Sequence, residues 1–166
     1  ILNEGLQSIG DGSFTRCASL TDIILPDTLN RIGSFAFEGC SSLETVNIPE
    51  GLKTINTDSF GKFDGLKKIC IPATVERIEP LAFNSCNALT DISIETGVKY
   101  ICAKAFEGTA YYNDSNNWDS NLLYIDSYLV RAKPYISSEY NVKDGTYLIA
   151  ENAFYDCALE GDRITL

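Results

Sequence analysis

Carboxylates are the most abundant ionisable groups in this chain. Asp and Glu total 23 against 13 Lys and Arg, the net charge is −10, and histidine is absent. The lack of histidine removes the commonest general base and the commonest transition-metal ligand. A Ser or Cys nucleophile would therefore lack the base of the usual triads. The acidic balance also argues against partners that present phosphates, such as nucleic acids or anionic membranes.

Paired carboxylates remain the one route to acid–base chemistry. Asp22 and Asp91 are the aspartates of one outward-facing column of the repeat described below, and they stand three units apart. At strand spacing this is ~14 Å, whereas glycosidase carboxylates lie about 5–9.5 Å apart. The stretch 114–119 carries oxygen ligands at alternating positions, yet it lacks the glycine and terminal glutamate of a calcium loop. We therefore predict no enzyme, no cofactor and no metal site.

The six cysteines do not have the spacing of a disulfide scaffold or a zinc site. Four of them fall in one repeat column, at Cys17, Cys40, Cys86 and Cys157. We expect this column to be a ladder of buried thiols, because cysteine packs as a small hydrophobe. Cys70 differs, since its position in a strand predicts that it faces outward, where its thiol could react.

An internal repeat of 23 residues determines the architecture. Six apolar columns keep this step, and the best populated are Leu6, Leu29, Leu52, Val75 and Val98; Ile9, Ile32, Ile55, Ile78 and Ile101; and Phe14, Phe37, Phe60, Phe83 and Phe106. Each unit contains a strand-like L-x-x-I-x-I-P piece and a shorter V-x-x-I-x-x-x-x-F piece. One unit cannot bury both apolar faces alone, whereas stacked units can. Parallel strands of successive coils should lie ~4.8 Å apart and form continuous ladders.

The regular pattern stops after Phe106, where a polar stretch precedes two alternating runs. The runs at 122–125 and 128–130 are separated by Asp126 and Ser127, which predicts a β-hairpin. The spacing of the repeat then resumes at Ile149 and Phe154. We therefore predict a single solenoid over 1–166, with regular repeats at 1–109, a loop and hairpin insertion at 110–141 and a resumed repeat at 142–166. Both ends fall within a unit, so we expect these residues to be part of a longer protein.

The units closely resemble the BspA-like leucine-rich repeats. Residues 32–49 fit the family pattern at Ile32, Ala36, Phe37, Cys40, Leu43, Val46, Ile48 and Pro49, whereas Phe63 and Thr109 depart from it at the Cys column. The resemblance implies a mostly β fold with short turns: a leucine-rich-repeat solenoid of right-handed stacked coils with an inserted β-hairpin. It also implies a secreted or cell-surface protein that adheres to host matrix proteins or to other microbes. The motifs are structural, so no residue role can be transferred.

Two surfaces are candidates for partner binding. The first is the outward face of the longer strands, formed by Asp22, Ile24, Thr45, Asn47, Lys68, Cys70, Asp91 and Ser93. The second is the aromatic insertion with Tyr111, Tyr112 and Trp118, since aromatic residues often anchor recognition. Either surface could instead be structural, the first a solvated face and the second a packing core. The functions left open are binding of a host or microbial protein, carbohydrate binding by the hairpin, and a spacer that presents another domain.

Overall fold

The structure is a computed structural model that describes residues 2–102, 104–134 and 140–157 and the strand at 164–165. In this part of the chain there are fifteen short strands, one helical turn α1 (Ala110–Asn113) and one 3-10 turn (Ser115–Asn117). The strands are β1 (Ser8–Ile9), β2 (Asp22–Ile23), β3 (Arg31–Ile32), β4 (Thr45–Val46), β5 (Thr54–Ile55), β6 (Lys68–Ile71), β7 (Arg77–Ile78), β8 (Asp91–Ile94), β9 (Tyr100–Ile101), β10 (Trp118–Asp119), β11 (Leu122–Ile125), β12 (Tyr128–Ala132), β13 (Tyr140–Asn141), β14 (Leu148–Ile149) and β15 (Ile164–Thr165).

The strands of the regular repeats form two columns. We number the coils by the repeat: coil 1 is residues 6–28, coil 2 is 29–51, coil 3 is 52–74 and coil 4 is 75–97. Column A contains β2, β4, β6 and β8, and column B contains β1, β3, β5, β7 and β9. Within β6, Ile69 and Ile71 are buried and Cys70 is exposed, as the alternation predicts. The predicted mostly β solenoid is confirmed.

A stack of phenylalanine rings runs along the solenoid, and we call this side of the coils the phenylalanine side. Phe14, Phe37, Phe60, Phe83 and Phe106 face one another with ring centroids 5.0, 5.7, 5.7 and 5.4 Å apart. All but the first are buried. Burial of each such side chain contributes about 1.5–3 kcal/mol before entropy is counted. The one aromatic residue per repeat is thus the main apolar contact that links successive coils on this side.

Each coil has two turn positions with left-handed backbone. The first is occupied by Gly12, Phe35, Asp58 and Leu81 with φ of 64, 58, 54 and 62°. The second is occupied by Arg16, Gly39, Lys62, Ser85 and Gly108 with φ of 58, 73, 60, 55 and 80°. Left-handed backbone disfavours a residue with a Cβ by roughly 1–2 kcal/mol. Stacking of the coils therefore overrides local preference at the six positions in these two sets that are not glycine.

The ladders of both columns are interrupted at the same place, and the expectation of continuous ladders is wrong there. In column A, β2 pairs with β4 and β6 with β8, all parallel, but no ladder joins β4 to β6 in the described chain. In column B, β1 pairs with β3 and β5 with β7 and β9, but β3 and β5 are not joined. We call the boundary of coils 2 and 3 the open joint and the boundary of coils 3 and 4 the closed joint.

The phenylalanine side remains bonded across the open joint. Three backbone N–H groups of coil 2 donate to coil 3 carbonyls at 3.0 Å: Phe35 to Thr57, Phe37 to Ser59 and Gly39 to Gly61. On the column B side, the Asn56 side chain crosses the joint, because its Nδ2 donates to the Ile32 carbonyl at 2.6 Å. The two coils are therefore joined by backbone hydrogen bonds along one side, whereas along the strands their described residues are joined by side chains such as Asn56 and not by a ladder.

The Cys column changes at the open joint. Cys40 Sγ donates to the Phe14 carbonyl at 3.1 Å and Cys86 Sγ to the Phe60 carbonyl at 3.2 Å, so each thiol bonds to the preceding coils. Coil 3 carries Phe63 in this column, and its buried ring lies edge-on to Phe60 at 6.3 Å. A phenyl ring has no donor, so the open joint lacks this bond as well.

The predicted β-hairpin is present, and its second strand is part of a larger sheet. β11 and β12 pair antiparallel around Asp126 and Ser127, and β12 pairs parallel with β14. The polar stretch before it, which belongs to the predicted loop and hairpin insertion, forms the end of α1, the 3-10 turn and β10, which pairs with β11. Thr109 and Asp114 cap the two helical turns by accepting from the N–H groups of Tyr112 and Asn116.

The hairpin covers the edge of β8. Asp126 Oδ2 accepts a hydrogen bond from the Ile94 N–H at 2.7 Å. The Tyr128 hydroxyl donates to the Glu95 carbonyl at 3.1 Å and accepts from the Gly97 N–H at 3.3 Å. Side chains of the insertion thus satisfy backbone groups that another coil would have bonded, which removes an exposed strand edge.

Candidate functional site

The first outward column of the proposed binding face contains Asp22, Thr45, Lys68 and Asp91, and all four residues are exposed. The strand register places Asp22 beside Thr45 and Lys68 beside Asp91. Lys68 Nζ and Asp91 Oδ2 are 2.8 Å apart, and this hydrogen bond raises the pKa of Lys68. The closed joint therefore presents an ion pair on this face. Coils 1 and 2 instead present the acidic Asp22 beside the uncharged Thr45.

The second outward column contains Ile24, Asn47, Cys70 and Ser93. Ile24 is 79% exposed, which is unusual for a large aliphatic side chain. The Asn47 amide pairs with the Leu25 backbone, accepting from its N–H at 2.8 Å and donating to its carbonyl at 2.7 Å. Asn47 thus replaces a strand hydrogen bond with side-chain bonds, and its polar atoms already have partners.

A cavity of about 650 Å³ lies in the same face, between β4 and β6. Val46, Ile48, Ile69 and Pro72 are among the residues that line it, together with the outward Cys70. This cavity coincides with the open joint. The strand face is therefore not a flat surface, and the place where strand pairing is interrupted among its described residues is also concave.

The aromatic residues of the insertion are half-buried and pack on the core. Trp118 Nε1 donates to the Tyr112 carbonyl at 2.8 Å, and the Tyr111 hydroxyl donates to the Tyr124 carbonyl at 2.8 Å. The rings of Tyr112 and Trp118 meet edge-on at 5.4 Å, and Lys133 Nζ lies 4.9 Å from the Trp118 ring centroid. Burial raises the pKa of Tyr111 and of Tyr112. These contacts use the polar atoms of the cluster within the insertion.

The cysteine column is only partly the buried ladder that we predicted. Cys40 and Cys86 are buried, and burial raises the pKa of Cys86 to about 12. Cys17 is exposed, which contradicts the prediction, and Cys157 is half-buried. Cys17 belongs to coil 1, and among the described residues no coil packs on the other side of its thiol. All six thiols are free.

The carboxylates do not assemble into a chemical site in the described part of the chain. Asp22 and Asp91 lie on β2 and β8, at opposite ends of column A. Asp114 Oδ1 accepts from the N–H and the side-chain amide of Asn116, both at 2.9 Å, so it caps a turn. Among the described residues, no three Cys, Asp or Glu side chains are grouped as metal ligands would be.

A polar cluster with two buried acids, beside the open joint, was missed from the sequence. Lys62 Nζ lies 2.5 Å from Glu38 Oε1, and this hydrogen bond raises the pKa of Lys62. Asp58 is 6% exposed, and its Oδ1 has no hydrogen-bond partner among the described residues. Burial raises the pKa of Asp58. The available signal was an acidic residue in a repeat position otherwise held by Gly12, Phe35 and Leu81.

The fold and its columns define a leucine-rich-repeat solenoid. A model of the BspA type leucine rich repeat region matches residues 7–137 in six copies. The chain belongs to this family. No curated protein sequence matches the chain.

Two solved structures share the fold. A leucine-rich repeat protein from Eubacterium ventriosum is 24% identical, with a TM-score of 0.51 over 72% of this chain and 38% of that one. The pneumococcal vaccine antigen PcpA is 20% identical, with a TM-score of 0.55 over 90% of this chain and 34% of that one. This chain thus spans little more than a third of either protein. In the described part of the chain, no helix has the length and apolar character needed to cross a bilayer.

Proposed function

We propose that this chain is a non-catalytic recognition module of a secreted or cell-surface protein, which binds a host or microbial protein through the outward face of column A. The observation that carries the proposal is the cavity between β4 and β6, set among exposed side chains of both charges. Solenoids bind protein partners on extended strand faces of this kind. The family membership and the antigen among the structural relatives support an extracellular location.

The binding face would contact its partner through Asp22, Thr45, Lys68, Asp91 and Ser93, with Asn47 holding the strands in place. The negative net charge disfavours nucleic acid as the partner. A glycan bound by Tyr111, Tyr112 and Trp118 is the competing proposal. The internal hydrogen bonds of these aromatic residues support the strand face over the hairpin as the binding surface.

The experiment is a binding array of immobilised extracellular-matrix proteins, bacterial surface proteins and glycans, probed with the chain and three variants. Asp91→Lys breaks the pair with Lys68, and the double variant Lys68→Glu with Asp91→Lys restores a pair of reversed orientation. The third variant, Trp118→Ala, changes the insertion and leaves the side chains of the strand face unchanged. If the partner binds the strand face, each of the two charge variants should bind it about tenfold more weakly, which is about 1.4 kcal/mol.

The outcomes separate the proposals. Binding that survives both charge variants but is lost with Trp118→Ala, at unchanged circular dichroism, overturns the strand face in favour of the hairpin. Binding lost in Asp91→Lys but restored in the double variant means that the pair only maintains the fold. Absence of any binding at high micromolar concentration contradicts recognition and leaves a spacer.

A further inference from the structure

The cavity at the open joint has the size and the lining of a ligand site. Its volume of about 650 Å³ lies within the range of about 300–1,000 Å³ that is usual for such sites. Val46 and Ile48 line it from coil 2, and Ile69 and Pro72 line it from coil 3. These four residues form an apolar part of the lining, and they come from two neighbouring coils.

Backbone groups of β6 point into this cavity without partners. The Asp91 N–H donates to the Lys67 carbonyl at 3.1 Å, and the Glu95 N–H donates to the Ile71 carbonyl at 2.9 Å. Residues 67, 69 and 71 therefore face β8. Because successive residues of a strand direct their N–H and C=O groups to opposite sides, those of Lys68 and Cys70 face β4. No backbone hydrogen bond joins the described residues of β4 and β6.

The charged side chains that line the cavity differ between its two ends along the strand direction. Lys67 and Lys68 line it where β6 begins, and Glu44 lines it just before β4 begins. Glu50 and Glu95 line it where β4 and β8 have ended. A ligand that lies along the strands would meet two ammonium groups and one carboxylate at one end, and carboxylates alone at the other.

We propose that the open joint is a slot for an extended peptide segment of the partner protein, with an acidic group at one end and a basic group at the other. The peptide lies along β6 and forms strand hydrogen bonds with Lys68 and Cys70, as in the addition of a strand to a sheet edge. The apolar part of the lining accepts alternate side chains of the peptide. A compact small molecule would leave this row of backbone donors and acceptors unpaired. The slot rests on the proposed function, since it specifies what the strand face binds.

Amide hydrogen exchange of the free chain, followed by NMR, tests the slot without any ligand. The N–H groups of Lys68 and Cys70 should exchange rapidly, whereas those of Asp91 and Ser93, one repeat later, should be protected by β6. Protection of all four to the same degree would mean that the joint is closed in solution, and would overturn the proposal.

Synthetic peptides test the occupant. The probes are Lys-Val-Thr-Val-Thr-Val-Glu, its reversed-charge form Glu-Val-Thr-Val-Thr-Val-Lys, and versions of each that are N-methylated at alternate residues. One of the two charge orders should bind about tenfold better, and its binding should protect the Lys68 and Cys70 amides. N-methylation at one of the two alternate sets should abolish binding, because it removes backbone donors. Equal binding of the N-methylated peptides, or no binding of any, would overturn the slot.

The two proposals fail in different ways. If the array of matrix and surface proteins shows no partner, the recognition proposal fails, whatever the amides do. If a partner binds and its affinity is unchanged by the better peptide as competitor, the recognition proposal stands and the slot is wrong.

Discussion

The open and closed joints are built from nearly the same apolar residues and yet pair differently. Val46 and Ile69 occupy the same column position on either side of the open joint, and Ile69 and Ile92 occupy it at the closed joint. Both joints keep the phenylalanine stack, with centroids 5.7 Å apart in each case. The closed joint has ladder bonds in both strand columns, whereas the described residues of the open joint have them in neither. The apolar columns thus determine the fold of each coil. Strand pairing between neighbouring coils depends on other contacts between them.

The largest expected effect concerns the phenylalanine stack. Phe83→Ala and Phe37→Ala each remove a fully buried ring, so each should lower the free energy of unfolding by about 3–5 kcal/mol. Phe83 lies at the closed joint, where ladders still couple the coils, so its variant should unfold in one step. Phe37 lies at the open joint, so its variant should unfold in two steps.

Urea denaturation followed by both fluorescence and circular dichroism measures the number of steps. Phe14→Ala, at a half-buried ring, is the control and should have a smaller effect. Coincident transitions in the Phe37 variant would show that the open joint couples its coils as strongly as the closed one.

Proline scanning compares the two joints at equivalent positions. Ser93→Pro removes an N–H that faces β6 and leaves a buried carbonyl unpaired, which should cost about 1–3 kcal/mol. Cys70→Pro removes an N–H that has no partner, so its unfolding free energy should fall by less than about 0.5 kcal/mol. Thermal denaturation of the two variants and of Cys70→Ala measures the difference. A loss for Cys70→Pro as large as that for Ser93→Pro would argue that the joint is bonded.

The buried Asp58 gives a prediction with a pH signature. Burial raises its pKa in the folded state above the unfolded value, so the unfolded chain loses this proton first as the pH rises. The free energy of unfolding therefore falls as the pH rises from the unfolded-state pKa of Asp58 to its folded-state pKa. Above the folded-state pKa the loss is complete. Asp58→Asn should be about 1 kcal/mol more stable than the native chain at pH 7, and equally stable below the unfolded pKa.

Chemical denaturation from pH 3 to pH 8 tests this sign. Asparagine also tolerates the left-handed backbone of this position, so the substitution adds no strain. Glu44→Gln, at an exposed acid, is the matched control. A less stable Asp58→Asn at pH 7 would mean that the carboxylate is favourably bonded in solution.

An effect about as small as that of Asp58→Asn is expected for the side chain that crosses the open joint on the column B side. Asn56→Ala removes the hydrogen bond from Nδ2 to the Ile32 carbonyl, which should cost about 1 kcal/mol. Asn56→Asp keeps the shape and loses the donor, so it should reproduce the loss. Faster amide exchange in coil 2, at unchanged exchange in coil 4, would locate the effect at the joint. Uniformly faster exchange would indicate a general loss of stability instead.

Periodicity predicted the parts of the fold that repeat. The phenylalanine stack, the inward Ile69 and Ile71 and the outward Cys70 follow from residue type and spacing alone. The hairpin followed from two alternating runs around Asp126 and Ser127. These features are set by local sequence and by the need to bury one face.

The parts that could not be predicted depend on contacts between coils. Phe63 was recognised as a departure from the Cys column, but nothing in a single sequence indicates that the ladders stop at this coil. The amide of Asn47 was expected on a binding face, and its bonds to the Leu25 backbone arise only when the coils are stacked. The internal hydrogen bonds of Tyr111 and Trp118 likewise depend on where the insertion folds back.

The unequal bonding of the open joint has a mechanical consequence. The phenylalanine stack and its three hydrogen bonds hold coils 2 and 3 along one side, whereas along the strands no ladder joins their described residues and the Asn56 side chain supplies a crossing bond. A force applied along the solenoid would therefore first rotate coils 1 and 2 as a rigid block about this stack, before any strand of the paired sheets detached. The open joint would then act as a flexible hinge in an otherwise stiff solenoid. The distance between β4 and β6 would increase with the applied force.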